Sequence, residues 1–237
     1  MPTVVRPSQS KLTLTILSDA GAFHDLGDRL KREYPNPKDA PRVDLLKIPA
    51  SLEKVLQAEF PGAAIDCPQE GRILYNLGAS SAGSFLEKMQ EVWTVETLPL
   101  GLCRYERAGS TEVASSPAPF RIRFHAPISY ALGYLAATYG QTAPETRDRL
   151  VVAVVSDDPH LIPPLADARQ RGLDARLVWF SGAVGPELSY FSGRNSVPMM
   201  LIEPVPVAES PAALSARGRD SAITSLDGVL KSRVSRR

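Results

Sequence analysis

The chain has 237 residues, enough for one large α/β domain or two small ones with a substantial core. With 43% hydrophobic and 22% charged residues, it is neither disordered throughout nor collagen-like. Lys+Arg 27 against Asp+Glu 26 leaves a net charge of +1, so no global charge argues for nucleic acid or membrane, although a sum hides local patches.

Residues 1–10 are polar, hold two prolines and read as a loose tail without the apolar stretch of a signal peptide. Leu12–Ser18 alternates Leu and β-branched residues and predicts a buried strand, closed by Asp19-Ala20-Gly21. Asp25–Tyr34 follows as a helix with Leu26 and Leu30 on one face, stopped by Pro35-Asn36-Pro37. Around 35–70 the pattern reads as an insertion: Val43–Ile48 as a short strand, then Ser51–Phe60 as an amphipathic helix with Ser51 as N-cap, broken by Pro61-Gly62.

Arg72–Leu77 predicts a strand, Gly78–Gly83 a small-residue loop, Ser84–Glu91 a helix and Thr94–Leu98 another strand. Residues 108–119 form a polar, proline-containing loop, and Phe120–Phe124 a short extended entry to the helix Ile128–Tyr139. The uncharged run Phe124–Pro144 has too many Pro, Gly, Ser and Tyr residues for a membrane span and reads as a buried helix. The expected protein is soluble and cytoplasmic, with no membrane partner.

Arg149–Ser156 is a continuous β-branched run, the mark of a central parallel strand covered on both faces. Asp158 suits an N-cap and Pro159 the first helical position of the helix Leu161–Gln170, which Gly172 ends as a C′ residue. Ala175–Phe180 and Met199–Ile202 are the last strands. The alternation predicts an α/β fold with a mainly parallel sheet. Residues 206–237 carry six Lys/Arg against three Asp/Glu and read as a basic, mobile tail. The domain is thus expected over 11–205, between two tails.

Cys67 and Cys103 are too few for a disulfide framework and lack zinc-site spacing, so they read as reduced thiols. Trp93, Trp179, Phe180 and Phe191 read as core. Ligands of open parallel sheets bind beyond the carboxyl ends of the strands, where Asp19, Asp157 and Asp158 fall. Clustered carboxylates need positive charge to stay ionised together, which Mg²⁺ or Mn²⁺ would supply. The plainer reading makes Asp158 a helix cap and Asp19 a turn residue. His160, on the first turn of that helix, is either a metal or phosphate ligand or an exposed surface group. His24 and His125 have no evident partners. Gly78–Ser84 has the two glycines of a Walker loop but no Lys before Ser84. It reads as a tight turn and helix start; its anion-binding alternative would use Ser80, Ser81 and Ser84.

The stretch Val154–Leu165 (VVSDDPHLIPPL), followed by Ala168–Gly172 and a strand, resembles the closing motif of NYN domains, the LabA-like branch of the PIN-domain nuclease superfamily. Ser156, Asp158, Pro163, Leu165 and Gly172 fall in register with it. Thr15–Asp19 resembles that family's first strand, and Tyr75–Gly78 with Phe85–Met89 its second strand and helix. The resemblance implies a PIN-like three-layer α/β/α sandwich with one or two Mg²⁺ or Mn²⁺ ions and RNA hydrolysis. By position, Asp19 and Asp158 would be metal ligands and Ser156 the small polar residue that opens the motif; in the ribonuclease reading Asp157 and His160 assist catalysis, and Ser156, Ser80, Ser81 and Ser84 contact nucleic acid. The chain departs from the pattern: His160 replaces the second Asp of the motif, Asp157 replaces a Gly, and Ser129 and Leu135 stand where acids are expected.

Three readings follow. One is a metal-dependent ribonuclease whose basic tail adds RNA affinity. The second is a degenerate PIN-like module that binds nucleic acid or a protein partner, including a second copy of itself, without cleavage. The third is an unrelated domain binding a small anion at Gly78–Ser84.

Overall fold

The computed structural model describes residues 11–33, 35–36, 43–77, 83–98, 104–107, 120–141 and 149–203. The two expected tails, the 108–119 loop, Cys103, Ser80 and Ser81 lie outside them, as does the side chain of Ser84.

The fold is α/β. Its strands are β1 (Lys11–Asp19), β2 (Ala64–Asp66), β3 (Arg72–Leu77), β4 (Thr94–Leu98), β5 (Arg104–Arg107), β6 (Phe120–Arg123), β7 (Arg149–Val155), β8 (Asp174–Phe180) and β9 (Met199–Ile202). The helices are α1 (Ala20–Glu33), α2 (Ile48–Glu59), α3 (Gly83–Gln90), α4 (His125–Gln141), α5 (Ile162–Gln170) and α6 (Pro186–Arg194). A seven-stranded sheet runs in the order β4-β3-β1-β7-β8-β9, with β2 also on β1. Every pairing in it is parallel, whereas β5 and β6 form a separate antiparallel pair. The helices pack around the sheet, consistent with a three-layer sandwich. No helix among the described residues is long and apolar enough to cross a membrane.

The β-branched run of β7 forms the centre: Val151–Val155 are all fully buried. Its neighbours β1 and β8 bury Leu14, Ile16, Leu17, Leu177, Val178 and Trp179 to the same extent. Phe23 of α1 stacks on Trp179, with ring centroids 6.1 Å apart. Apolar area withdrawn from water on this scale is the main stabilising term of the domain.

Three local expectations are corrected. Val43–Ile48 is not a strand: Leu45–Lys47 is a 3₁₀ turn capped by Asp44, whose carboxylate accepts from the Leu46 N–H at 3.1 Å. Ser51 lies inside α2 rather than capping it, because the helix starts at Ile48 with Pro49 in its first turn, where a missing N–H costs nothing. Phe191, expected in the core, is 42% exposed on α6.

The α5 boundaries follow the sequence signals closely. Asp158 caps a 3₁₀ turn, Pro159–Leu161, which leads into α5. At the far end Gly172 has φ +90°, its N–H donates to Arg169 O at 2.9 Å, and the Leu173 N–H donates to Ala168 O at 3.1 Å. This paired arrangement is a Schellman motif, and its left-handed residue is what glycine supplies without strain. Cys67 is buried, and that burial pushes its thiol above the ordinary value despite a nearby Arg72.

Candidate functional site

Strand order places the site. From β1 the sheet grows one way through β3 to β4 and the other way through β7 to β8 and β9. The reversal lies between β1 and β7, and a crevice beyond the carboxyl ends of two such strands is where open α/β sheets take ligands. Ser18 pairs in register with Val155, so the next residues of the two strands, Asp19 and Ser156, come side by side.

Asp19 is fully buried. Its Oδ1 accepts from the backbone N–H groups of Gly21 at 2.9 Å and Ala22 at 3.2 Å, which caps α1 and explains why that helix begins directly after the strand. Its Oδ2 accepts from the Ser156 hydroxyl at 3.2 Å. Ser156, also fully buried, accepts in turn from the Asp158 N–H at 3.2 Å. Asp158, 1% exposed, accepts through Oδ1 from the His160 N–H at 2.9 Å. Its Oδ2 is buried and has no hydrogen-bond partner among the described residues. A chain of short contacts therefore ties the ends of β1 and β7 together, with the serine hydroxyl as its hinge.

The positive charge facing these acids is Arg123, at the end of β6 and only 2% exposed. Its guanidinium forms ion pairs with Asp25 at 2.8 Å and Asp157 at 3.1 Å. Burial alone would lower its pKa, but Asp157, Asp19, Asp25 and Asp158 outweigh that and hold it above the ordinary value. Burial pushes the Asp19 carboxyl up to about 7; Arg123 and the Ala22 N–H pull it down, while Asp157 and Asp158 push it further up. Near neutrality Asp19 thus shares a proton with solvent, and the cluster sheds part of its negative charge.

The sequence puts Asp19, Asp157 and Asp158 on one rim if β1 and β7 are neighbours; they are, and Ser156 joins them there. His160 lies at the same end, exposed, its ring 6.3 Å from that of His125. Arg123 and Asp25 were missed. The signal for Arg123 was present in Phe120–Phe124, where arginines alternate in sequence with Phe, Ile and Phe. Asp25 had no signal beyond its position on α1.

A hard cation would have to compete for these oxygens. Both oxygens of Asp19 and Oδ1 of Asp158 accept from protein N–H and O–H groups, and one oxygen each of Asp25 and Asp157 faces Arg123, while Asp158 Oδ2 has no hydrogen-bond partner among the described residues. Among the described residues no group of three or more His, Cys, Asp or Glu is placed to hold a metal ion. No protein-family model matches this chain, and no curated protein is similar to it.

Proposed function

We propose that this chain is a non-cleaving α/β module that docks a protein partner, with an acidic rim whose negative charge is partly offset from within by Arg123. The observation that carries the reading is the buried Arg123 guanidinium among Asp19, Asp25, Asp157 and Asp158. A tethered guanidinium already supplies part of the positive charge that these carboxylates call for, and both expected metal ligands, Asp19 and Asp158, are spent on helix caps.

A protein partner is favoured over RNA by α4. Its sequence, HAPISYALGYLAATYGQ, contains no Lys, Arg, Asp or Glu, yet Tyr130 and Tyr134 are 77% and 62% exposed. Exposed tyrosines can stack on bases, but phosphate backbones are held by cations, and α4 itself supplies none. Interfaces between proteins are enriched in just such aromatic, uncharged surface.

The competing reading, a Mg²⁺- or Mn²⁺-dependent ribonuclease, draws on the open Asp158 Oδ2. The deciding experiment incubates single-stranded RNA with the protein and each metal beside an Asp158→Asn control. No metal-dependent cleavage by either protein is the expected result. Cleavage by the wild type that Asp158→Asn abolishes overturns the proposal. Tight RNA binding that weakens steeply with salt removes the preference for a protein partner.

A further inference from the structure

At the opposite end of the sheet, where β7, β8 and β9 begin, lies a cleft of about 740 Å³. Its polar half is built on Asp174, the first residue of β8. Asp174 Oδ1 accepts from Arg176 Nε at 2.9 Å and Arg169 at 3.5 Å; its Oδ2 accepts from Arg149 at 2.8 Å and Arg176 at 2.9 Å. Arg176 also binds both oxygens of Glu59, the second at 2.9 Å. Arg149 lies over the Phe60 ring, 4.2 Å from its centroid.

The charges do not balance. Among the described residues lining the cleft, three guanidinium groups face two carboxylates. Arg176 is nearly buried and its fork is occupied by both acids, so the surplus charge rests on Arg149 and Arg169, whose side chains are 50% and 33% exposed. The other half of the cleft is apolar, formed by Val55, Leu173, Pro198, Met199 and the 49%-exposed Leu201. The surplus is one unit, which matches a monoanion better than a phosphate dianion. Guanidinium groups grip carboxylates through paired, charge-assisted hydrogen bonds, and a wet apolar wall gains by covering.

We infer that this cleft binds a small amphipathic monocarboxylate, its head group on Arg149 and Arg169 and its apolar body against Pro198–Leu201. The site is separate from the acidic rim and does not depend on how that rim works.

The test titrates the full chain with octanoate, phenylpropionate and indoleacetate, following backbone amide shifts by NMR. At least one should bind saturably, moving the signals of Arg149, Leu173 and Met199–Leu201. Octanol, which lacks the charge, and acetate, which lacks the body, should each bind at least about tenfold more weakly. Arg169→Met should weaken the best carboxylate about tenfold or more. Because that change also touches Asp174, Leu201→Ser provides a second variant: it adds no charge, strips the apolar wall and should weaken binding about fivefold or more. Absence of saturable shifts with all three acids overturns the inference. So does octanol binding as well as octanoate, or binding that neither variant alters.

Discussion

Arg123 and Asp157 form a 3.1 Å ion pair that joins the β5–β6 pair to the carboxyl end of β7. The arginine is also paired with Asp25, so it offsets part of the rim's negative charge. Replacing it by Met removes that charge and leaves the carboxylates facing one another. The expected loss of stability is about 3–5 kcal/mol, typical of a buried pair broken from one side. Mn²⁺ should raise the melting temperature of Arg123→Met more than that of the wild type, because the variant has one cation fewer among the same acids. Thermal melts with and without Mn²⁺ check both statements.

Asp19 should make the protein sensitive to pH. Its carboxyl is raised from 3.8 to about 7 by burial, so between those values the folded state holds a proton that the unfolded state has released. Stability from this group is fully present below about pH 4 and is lost as pH rises through about 7. Asn mimics the protonated form, so Asp19→Asn should flatten the stability profile over that window. Denaturant unfolding at about pH 5 and pH 8 should show the variant gaining on the wild type at the higher pH. An unchanged slope would remove Asp19 as the cause.

Ser156 is a hinge with both sides in use: it donates to Asp19 and accepts from the Asp158 N–H. Ser156→Ala leaves two buried polar groups without a partner and should cost about 1–3 kcal/mol for each group left unsatisfied. Ser156→Thr retains the hydroxyl and should lose less. Equal losses in the two variants, measured by urea unfolding, would make volume rather than hydrogen bonding the reason.

The core and the exposed α4 face should respond oppositely. Leu177 is fully buried in β8, and Leu177→Ala is expected to cost about 2–5 kcal/mol. Tyr134 is 62% exposed, and Tyr134→Ala should change stability by less than about 0.5 kcal/mol. If α4 meets a partner, the same tyrosine change should weaken that complex while leaving the isolated protein intact. Gly172→Ala belongs with the core change in direction, at about 1 kcal/mol, since its φ of +90° strains any residue with a Cβ.

The parts of this fold that announce themselves in sequence are those governed by local chemistry. The run of β7 is legible because burial on both faces demands uninterrupted apolar residues. Asp158, Pro159 and Gly172 mark the ends of the following helical segment, because caps, first-turn proline and left-handed glycine each solve a backbone problem within a few residues. Asp19 and Ser156 could be placed near each other only on the condition that β1 and β7 are neighbours, a fact of the whole sheet.

Other features depend on distant partners. Arg123 meets Asp25 and Asp157 from far along the chain, and no spacing encodes that meeting. Val43–Ile48 looked like a strand because it is apolar, whereas Asp44 and Pro49 make it a turn and a helix start. The three-residue β2 is too short to show any alternation at all.

That short strand has a consequence of its own. β1 is flanked by β7 along Leu12–Ser18, but its other edge is shared end to end: β2 covers Lys11–Thr13 and β3 covers Ile16–Asp19. What reads as an insertion is therefore a splint for the first half of β1. Trimming it away would bare a strip of unsatisfied backbone beside the core, a template on which a second chain could grow. Shortened forms of this protein that omit the segment should be sticky before they are unfolded.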